Sequence, residues 1–100
     1  MTNMKYKVTD NYSLANGTSL KGYVATTYDT LVRLLGEPPS DGCDKTTAEW
    51  ILLFDDGTIA TIYDYKMDST PYGLYDWHVG GHSHKAHEYV EKLLAKAAKD

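Results

Sequence analysis

Polar and apolar residues alternate through Lys5-Tyr6-Lys7-Val8-Thr9, the period-two pattern of a short edge strand. Turn-forming residues follow at Asp10-Asn11-Tyr12-Ser13 and again at Asn16-Gly17-Thr18-Ser19. The period then lengthens. Tyr28, Leu31, Leu34 and Leu35 line one stripe of a helix, with Thr26 or Thr27 as its cap and Asp29 in its first turn. Gly36 stops that helix and Pro38-Pro39 stand just beyond it. The stretch from Pro38 to Lys45 reads as a loop that holds Cys43.

Two β-prone runs come next, Thr47 to Phe54 and Thr58 to Tyr65, joined around Asp56-Gly57. A two-residue hairpin turn at Asp-Gly sets Phe54 opposite Ile59, Leu52 opposite Thr61 and Trp50 opposite Tyr63. On the other face it sets Leu53 against Ala60, Ile51 against Ile62 and Glu49 against Asp64. Both faces carry apolar residues, so this hairpin is expected at the centre of the domain. The loop Asp68 to Gly73 leads to a third strand, Leu74 to Val79, which Gly80-Gly81 ends. A final helix starts near His82 or Ser83 and gathers Ala86, Tyr89, Val90, Leu93, Leu94 and Ala97 on one face.

The expected architecture is α+β: residues 1–100 as a single domain in the order β-α-β-β-β-α. A three- to four-stranded antiparallel sheet carries both helices on one side. Trp50, Ile51, Leu52, Ile62, Leu31, Leu35, Val90 and Leu93 are its expected core. A length of 100 residues leaves no room for a second domain. No apolar run approaches a membrane span, and none follows Met1-Thr2-Asn3-Met4-Lys5 as a secretory signal would require. A lone cysteine excludes an internal disulfide and points to a reducing, cytoplasmic setting. The net charge is −4 and Arg33 is the one arginine, so direct nucleic-acid binding is not expected. The chain is rich in tyrosine, nine against a single phenylalanine, which suits half-buried sheets and binding surfaces and equally a small core that reaches the surface.

Several groupings carry potential chemistry. Glu49 and Asp64, if directly across the hairpin, either share a cation, an amine or a proton, or splay apart beside Lys45 or Lys66. Of the four histidines, His84 and His87 share a helix face and His78 lies on the preceding strand. They lack the spacing of a strong zinc motif, so solvated histidines at a helix start fit as well as a metal site. Cys43 stands between Gly42 and Asp44, where negative neighbours disfavour a reactive thiolate. No catalytic set assembles, and neither a metal nor a cofactor is implied.

Two glycine-bearing stretches stand out. Trp77-His78-Val79-Gly80-Gly81-His82-Ser83 joins a strand to a helix start, where backbone N–H groups can meet an anion. Asn16-Gly17-Thr18-Ser19-Leu20-Lys21-Gly22-Tyr23 mixes hydroxyls, a lysine and an aromatic ring. Both also suit ordinary connections. The residues expected to contact a ligand or partner are Thr18, Ser19, Lys21, Tyr23, Trp77, His78, Gly80 and Gly81.

Taken together, Gly17 to Tyr23, Leu34-Leu35-Gly36-Glu37-Pro38, Glu49-Trp50-Ile51, Asp56-Gly57, Ala60 to Lys66 and Trp77 to Gly81 form a wider pattern. The chain resembles, over roughly residues 14 to 95, a group of small single-domain proteins encoded by bacteriophages and prophages. No catalytic residues come with the resemblance, and His82, His84 and His87 fall outside its pattern. In size and charge such proteins are similar to the accessory proteins with which phages block host defence, CRISPR inhibitors among them. The implied function is non-enzymatic binding and inhibition of a host defence complex in the host cytoplasm. The alternative is a protein that binds or sequesters an anionic nucleotide at the two glycine-bearing stretches.

Overall fold

A computed structural model describes residues 5–9, 11–38, 48–64 and 73–99. In chain order the elements are β1 (Tyr6–Thr9), a 3-10 turn (Tyr12–Ala15), β2 (Ser19–Thr26), α1 (Tyr28–Leu35), β3 (Glu49–Phe54), β4 (Ile59–Tyr63), β5 (Tyr75–Gly81) and α2 (Lys85–Lys99). The strands form one five-stranded sheet in the order β1-β3-β4-β5-β2, with every neighbouring pair antiparallel. The class is α+β, with one strand more than the pattern of the chain suggests. That strand is β2. Gly17 does turn, with φ +82. From Ser19 onward, however, the chain is extended because it pairs along its length with β5. The loop expected over Asn16 to Tyr23 is therefore half strand. Likewise Gly80 and Gly81 do not end the third strand but belong to β5, and the last helix begins at Lys85.

The first helix follows its local signals closely. Thr27 is the N-cap, and its hydroxyl accepts the Thr30 backbone N–H at 3.2 Å. Gly36 closes the other end at φ +86, donating its N–H to the Val32 carbonyl at 2.7 Å.

Residues from both helices, Leu31 of α1 with Ala86, Val90 and Leu93 of α2, join Trp50, Leu52, Phe54, Ala60, Ile62, Trp77 and Val79 in one buried cluster. Both helices therefore cover the same sheet face. Of the expected core, Leu35 is only partly buried, and Ile51 is fully buried but alternates to the opposite face. There the 3-10 turn lies against β3 and β4, and Thr61, paired with Ile51, is buried beside it. Trp50 and Trp77 meet edge to face at 5.7 Å between ring centroids. Neither indole leaves its N–H unsatisfied. Trp50 donates to the Gly36 carbonyl at 2.9 Å and Trp77 to the Thr26 carbonyl at 3.2 Å. The two tryptophans thus hold the backbone at both ends of α1.

The central hairpin forms, but its register is one residue away from the two-residue-turn expectation. Phe54 and Thr58 close a three-residue loop, Asp55-Asp56-Gly57, through Phe54 N–H to the Thr58 carbonyl at 2.9 Å. Gly57 takes φ +89, the left-handed conformation that such a loop needs at its last position. The slip exchanges every face assignment. Trp50 pairs with Ile62 and Leu52 with Ala60, toward the helices, whereas Glu49 pairs with Tyr63 and Ile51 with Thr61. Glu49 and Asp64 are consequently not a cross-strand pair. Lys45, Lys66, Tyr65 and the Cys43 loop lie outside the described residues.

Leu52, with none of its surface exposed, sits at the middle of this packing. Leu52→Ala is expected to cost roughly 2–4 kcal/mol, read as a lower midpoint in chemical denaturation. Trp50→Phe keeps most of the apolar volume but leaves the Gly36 carbonyl without its donor. Hydrogen exchange should then quicken in the last turn of α1 more than in β4.

Candidate partner-binding surface

The two stretches singled out in the sequence are direct neighbours, joined as paired strands. β2 and β5 place Ser19 opposite Gly81, Leu20 opposite Gly80, Tyr23 opposite His78 and Val24 opposite Trp77, with a register shift between Leu20 and Gly22. At the turn before β2, Gly17 also lies next to His82, whose Cε1 would stand 3.6 Å from a Cβ at position 17.

The pairing divides the expected site residues by role. Trp77 is wholly buried and points into the core, so it cannot touch a partner. Gly80 and Gly81 are buried too, which corrects their reading as a point of close ligand approach. A Cβ on Gly80 would fall 2.6 Å from Thr61 Oγ1, and one on Gly81 would collide with the Ala86 side chain. Their missing side chains serve packing: Gly80 accommodates the neighbouring strand and Gly81 lets α2 press onto the sheet. Thr18 donates its hydroxyl to the Ala15 carbonyl at 2.7 Å, and Lys21 Nζ donates to Ser19 Oγ at 3.0 Å. Tyr23 and His78 remain as groups that reach the surface, Tyr23 with 52% of its area exposed and His78 half-buried.

Those two belong to a longer row that the sequence reading missed. One residue from each of four adjacent strands, Glu49, Tyr63, His78 and Tyr23, stands in register on the sheet face away from the helices. The Tyr63 and His78 rings stack at 5.3 Å and 26°, and Tyr23 meets His78 edge-on at 4.9 Å and 65°. Asp76, two residues before His78, adds an exposed carboxylate on the same face. Burial pushes the Glu49 carboxyl up from its ordinary range. Burial also pulls the His78 imidazole down, against the opposing pull of nearby Asp64. Asp64 itself is fully buried and accepts the Ala48 backbone N–H at 3.1 Å, so it braces the chain entering β3. A correct hairpin register, together with the alternation in Tyr23-Val24-Ala25-Thr26, was the signal that could have revealed this row.

The opposite end of the sheet holds the start of α2. A depression of about 370 Å³ is lined there by Asp56, Gly57, Thr58, Ile59, His82, Ser83 and Lys85. Tyr89 donates its hydroxyl to Asp56 Oδ2 at 2.6 Å. Bonds from Tyr89 and Thr58 hold the Asp56 carboxyl down at about 2, so it is ionised at neutral pH. That carboxylate opposes the anion which the helix start and Lys85 would otherwise attract. Of the helix-proximal histidines, His82 and His84 are exposed, but His87 is half-buried and bonded to β2, which corrects its reading as a solvated side chain. Among the described residues, no three His, Cys, Asp or Glu side chains gather as a metal site would need. No described helix is long and apolar enough to cross a membrane.

No family model, curated protein or solved structure matches the chain.

The two depressed groups give the stability a defined acid dependence. Asp56 stabilises the folded state above its ordinary value of 3.8, and that contribution is lost as the pH falls through about 2. For His78 the unfolded chain takes up its proton first, so stability declines as the pH drops below the ordinary 6.5. In Tyr89→Phe, the Asp56 titration followed by NMR should move up toward the ordinary carboxylate range. In His78→Phe, the loss of stability that begins near pH 6.5 should disappear from denaturation curves.

Proposed function

We propose that this protein acts by occupying a partner macromolecule rather than by catalysis, as a phage-type accessory protein directed at a host defence complex in the cytoplasm. The contact surface is the sheet face around Tyr23 and His78. The observation that carries this reading is the four-strand row Glu49-Tyr63-His78-Tyr23, in which a half-exposed tyrosine is held by a neighbouring ring on the next strand. Rigid aromatic side chains on strands give large contact area at little cost in conformational freedom. Glu49 and Asp76 supply the charge at this surface, in keeping with a net charge of −4, and a basic surface on the partner is complementary to them.

The test begins with capture of a partner from host lysate and its identification by mass spectrometry. Tyr23→Ala should then weaken binding to that partner by roughly thirtyfold, about 2 kcal/mol, as an aromatic anchor does. Lys85→Ala, at the far end of the sheet, should leave the affinity unchanged. The opposite pattern would move the contact to the start of α2 and favour an anionic ligand. In that case nucleotides should raise the melting temperature of the purified protein, and Lys85→Ala should abolish the rise.

A further inference from the structure

β2 lies at the edge of the sheet, and eight extended residues at an edge form a template on which another strand can pair. Its sequence, Ser-Leu-Lys-Gly-Tyr-Val-Ala-Thr, carries one charge and no proline, and Leu20 and Tyr23 are 44% and 52% exposed. A segment of that composition is prone to pair with another copy of itself. An antiparallel pairing of two β2 strands about Gly22 and Tyr23 would extend an all-antiparallel sheet. Centred on Gly22 or on Tyr23, it would bring Lys21 against Tyr23 or Ala25 rather than against a second Lys21, so no like charges would meet.

One side chain stands in the way. His87, in the first turn of α2, lies over Gly22 and brings its Nε2 to 3.0 Å from the Tyr23 carbonyl. The ring fits because position 22 has no side chain. A Cβ there would fall 2.6 Å from His87 Cδ2, 2.7 Å from Nε2 and 2.8 Å from Cγ. A carbonyl only accepts, so Nε2 must carry the proton. The other ring nitrogen, Nδ1, lies 3.5 Å from Glu91 Oε1, a contact that becomes an ion pair only when the ring carries both protons. The shift in the β2–β5 register between Leu20 and Gly22 falls at the same place, and such irregularities are a known means of disrupting an edge.

We infer that His87, seated in the notch left by Gly22, guards the β2 edge against antiparallel pairing with a second copy of this chain. This rests on the edge geometry alone and stands whatever partner the aromatic row takes. Removing the ring uncovers the Tyr23 carbonyl and the backbone around Gly22, and the exposed Leu20 and Tyr23 then have a surface to cover. Gly22→Ala reaches the same state from the strand, by expelling the ring while the helix stays intact.

Sedimentation velocity over a wide concentration range tests the inference, with circular dichroism confirming that each variant is folded. The parent should sediment as a monomer throughout. Both His87→Ala and Gly22→Ala should shift reversibly to dimer as concentration rises. Adding Tyr23→Lys to His87→Ala should return it to monomer, because a lysine on an edge strand opposes pairing. The inference is overturned if folded His87→Ala remains monomeric at every concentration. It is equally overturned if the parent already dimerises, or if the dimer of His87→Ala persists with Tyr23→Lys. Should Gly22→Ala fail to fold, the His87→Ala and Tyr23→Lys arms decide the matter.

Discussion

Two indoles packed edge to face, Trp50 from β3 and Trp77 from β5, hold the centre of this protein. Their rings lie in the core, yet each N–H needs an acceptor, and each finds one at an end of α1. An unpartnered indole N–H in that setting would be costly, so the helix is fixed where both acceptors can be reached. Tyr28, in the first turn of α1, packs against both rings and closes the arrangement. The position of one short helix over the sheet is thereby set by directed bonds as well as by apolar contact.

The second helix is held by close approach instead. Gly81 and Gly22 leave room on the sheet that Ala86 and His87 occupy. Ala86 settles onto β5 as a small apolar contact, while His87 carries a polar tip to the edge strand and bonds its backbone. Glycines that invite a ligand reading in the sequence are thus used for contact between layers. The other face of the same strands is left to polar and aromatic side chains, and there Tyr23, His78, Tyr63 and Glu49 line up across the sheet. Packing on one face frees the opposite face for polar and aromatic side chains, because successive residues of a strand alternate between them.

Legibility in the sequence followed the range of the interactions involved. The cap, the acidic first turn and the glycine stop of α1 act over a few residues, and Thr27, Asp29 and Gly36 are all in those roles. The hairpin was legible as a hairpin, but not in its register. Asp56-Gly57 suits both a two-residue and a three-residue loop, since Gly57 is left-handed in either, and the chain takes the longer one by adding Asp55. That one residue moved Tyr63 to the open face and separated Glu49 from Asp64. Tyr23 and His78 stand out in the sequence as candidate contacts, and both reach the surface. Their place in a four-strand row was not legible, since it needs three strand registers at once.

By itself the sequence determined the α+β class, the two helices with the faces they bury, the central hairpin and most of the core. Each of these depends on periodicity and local capping, which a chain carries within a window of a few turns. Only the tertiary structure decided that Ser19–Thr26 is a strand, because its glycine and lysine suit a loop equally well until β5 supplies partners for its backbone. The same holds for the work of Gly22, Gly80 and Gly81. A missing side chain has no meaning along the chain. It gains one when Thr61, Ala86 or His87, brought from elsewhere in the sequence, fills the space that it leaves.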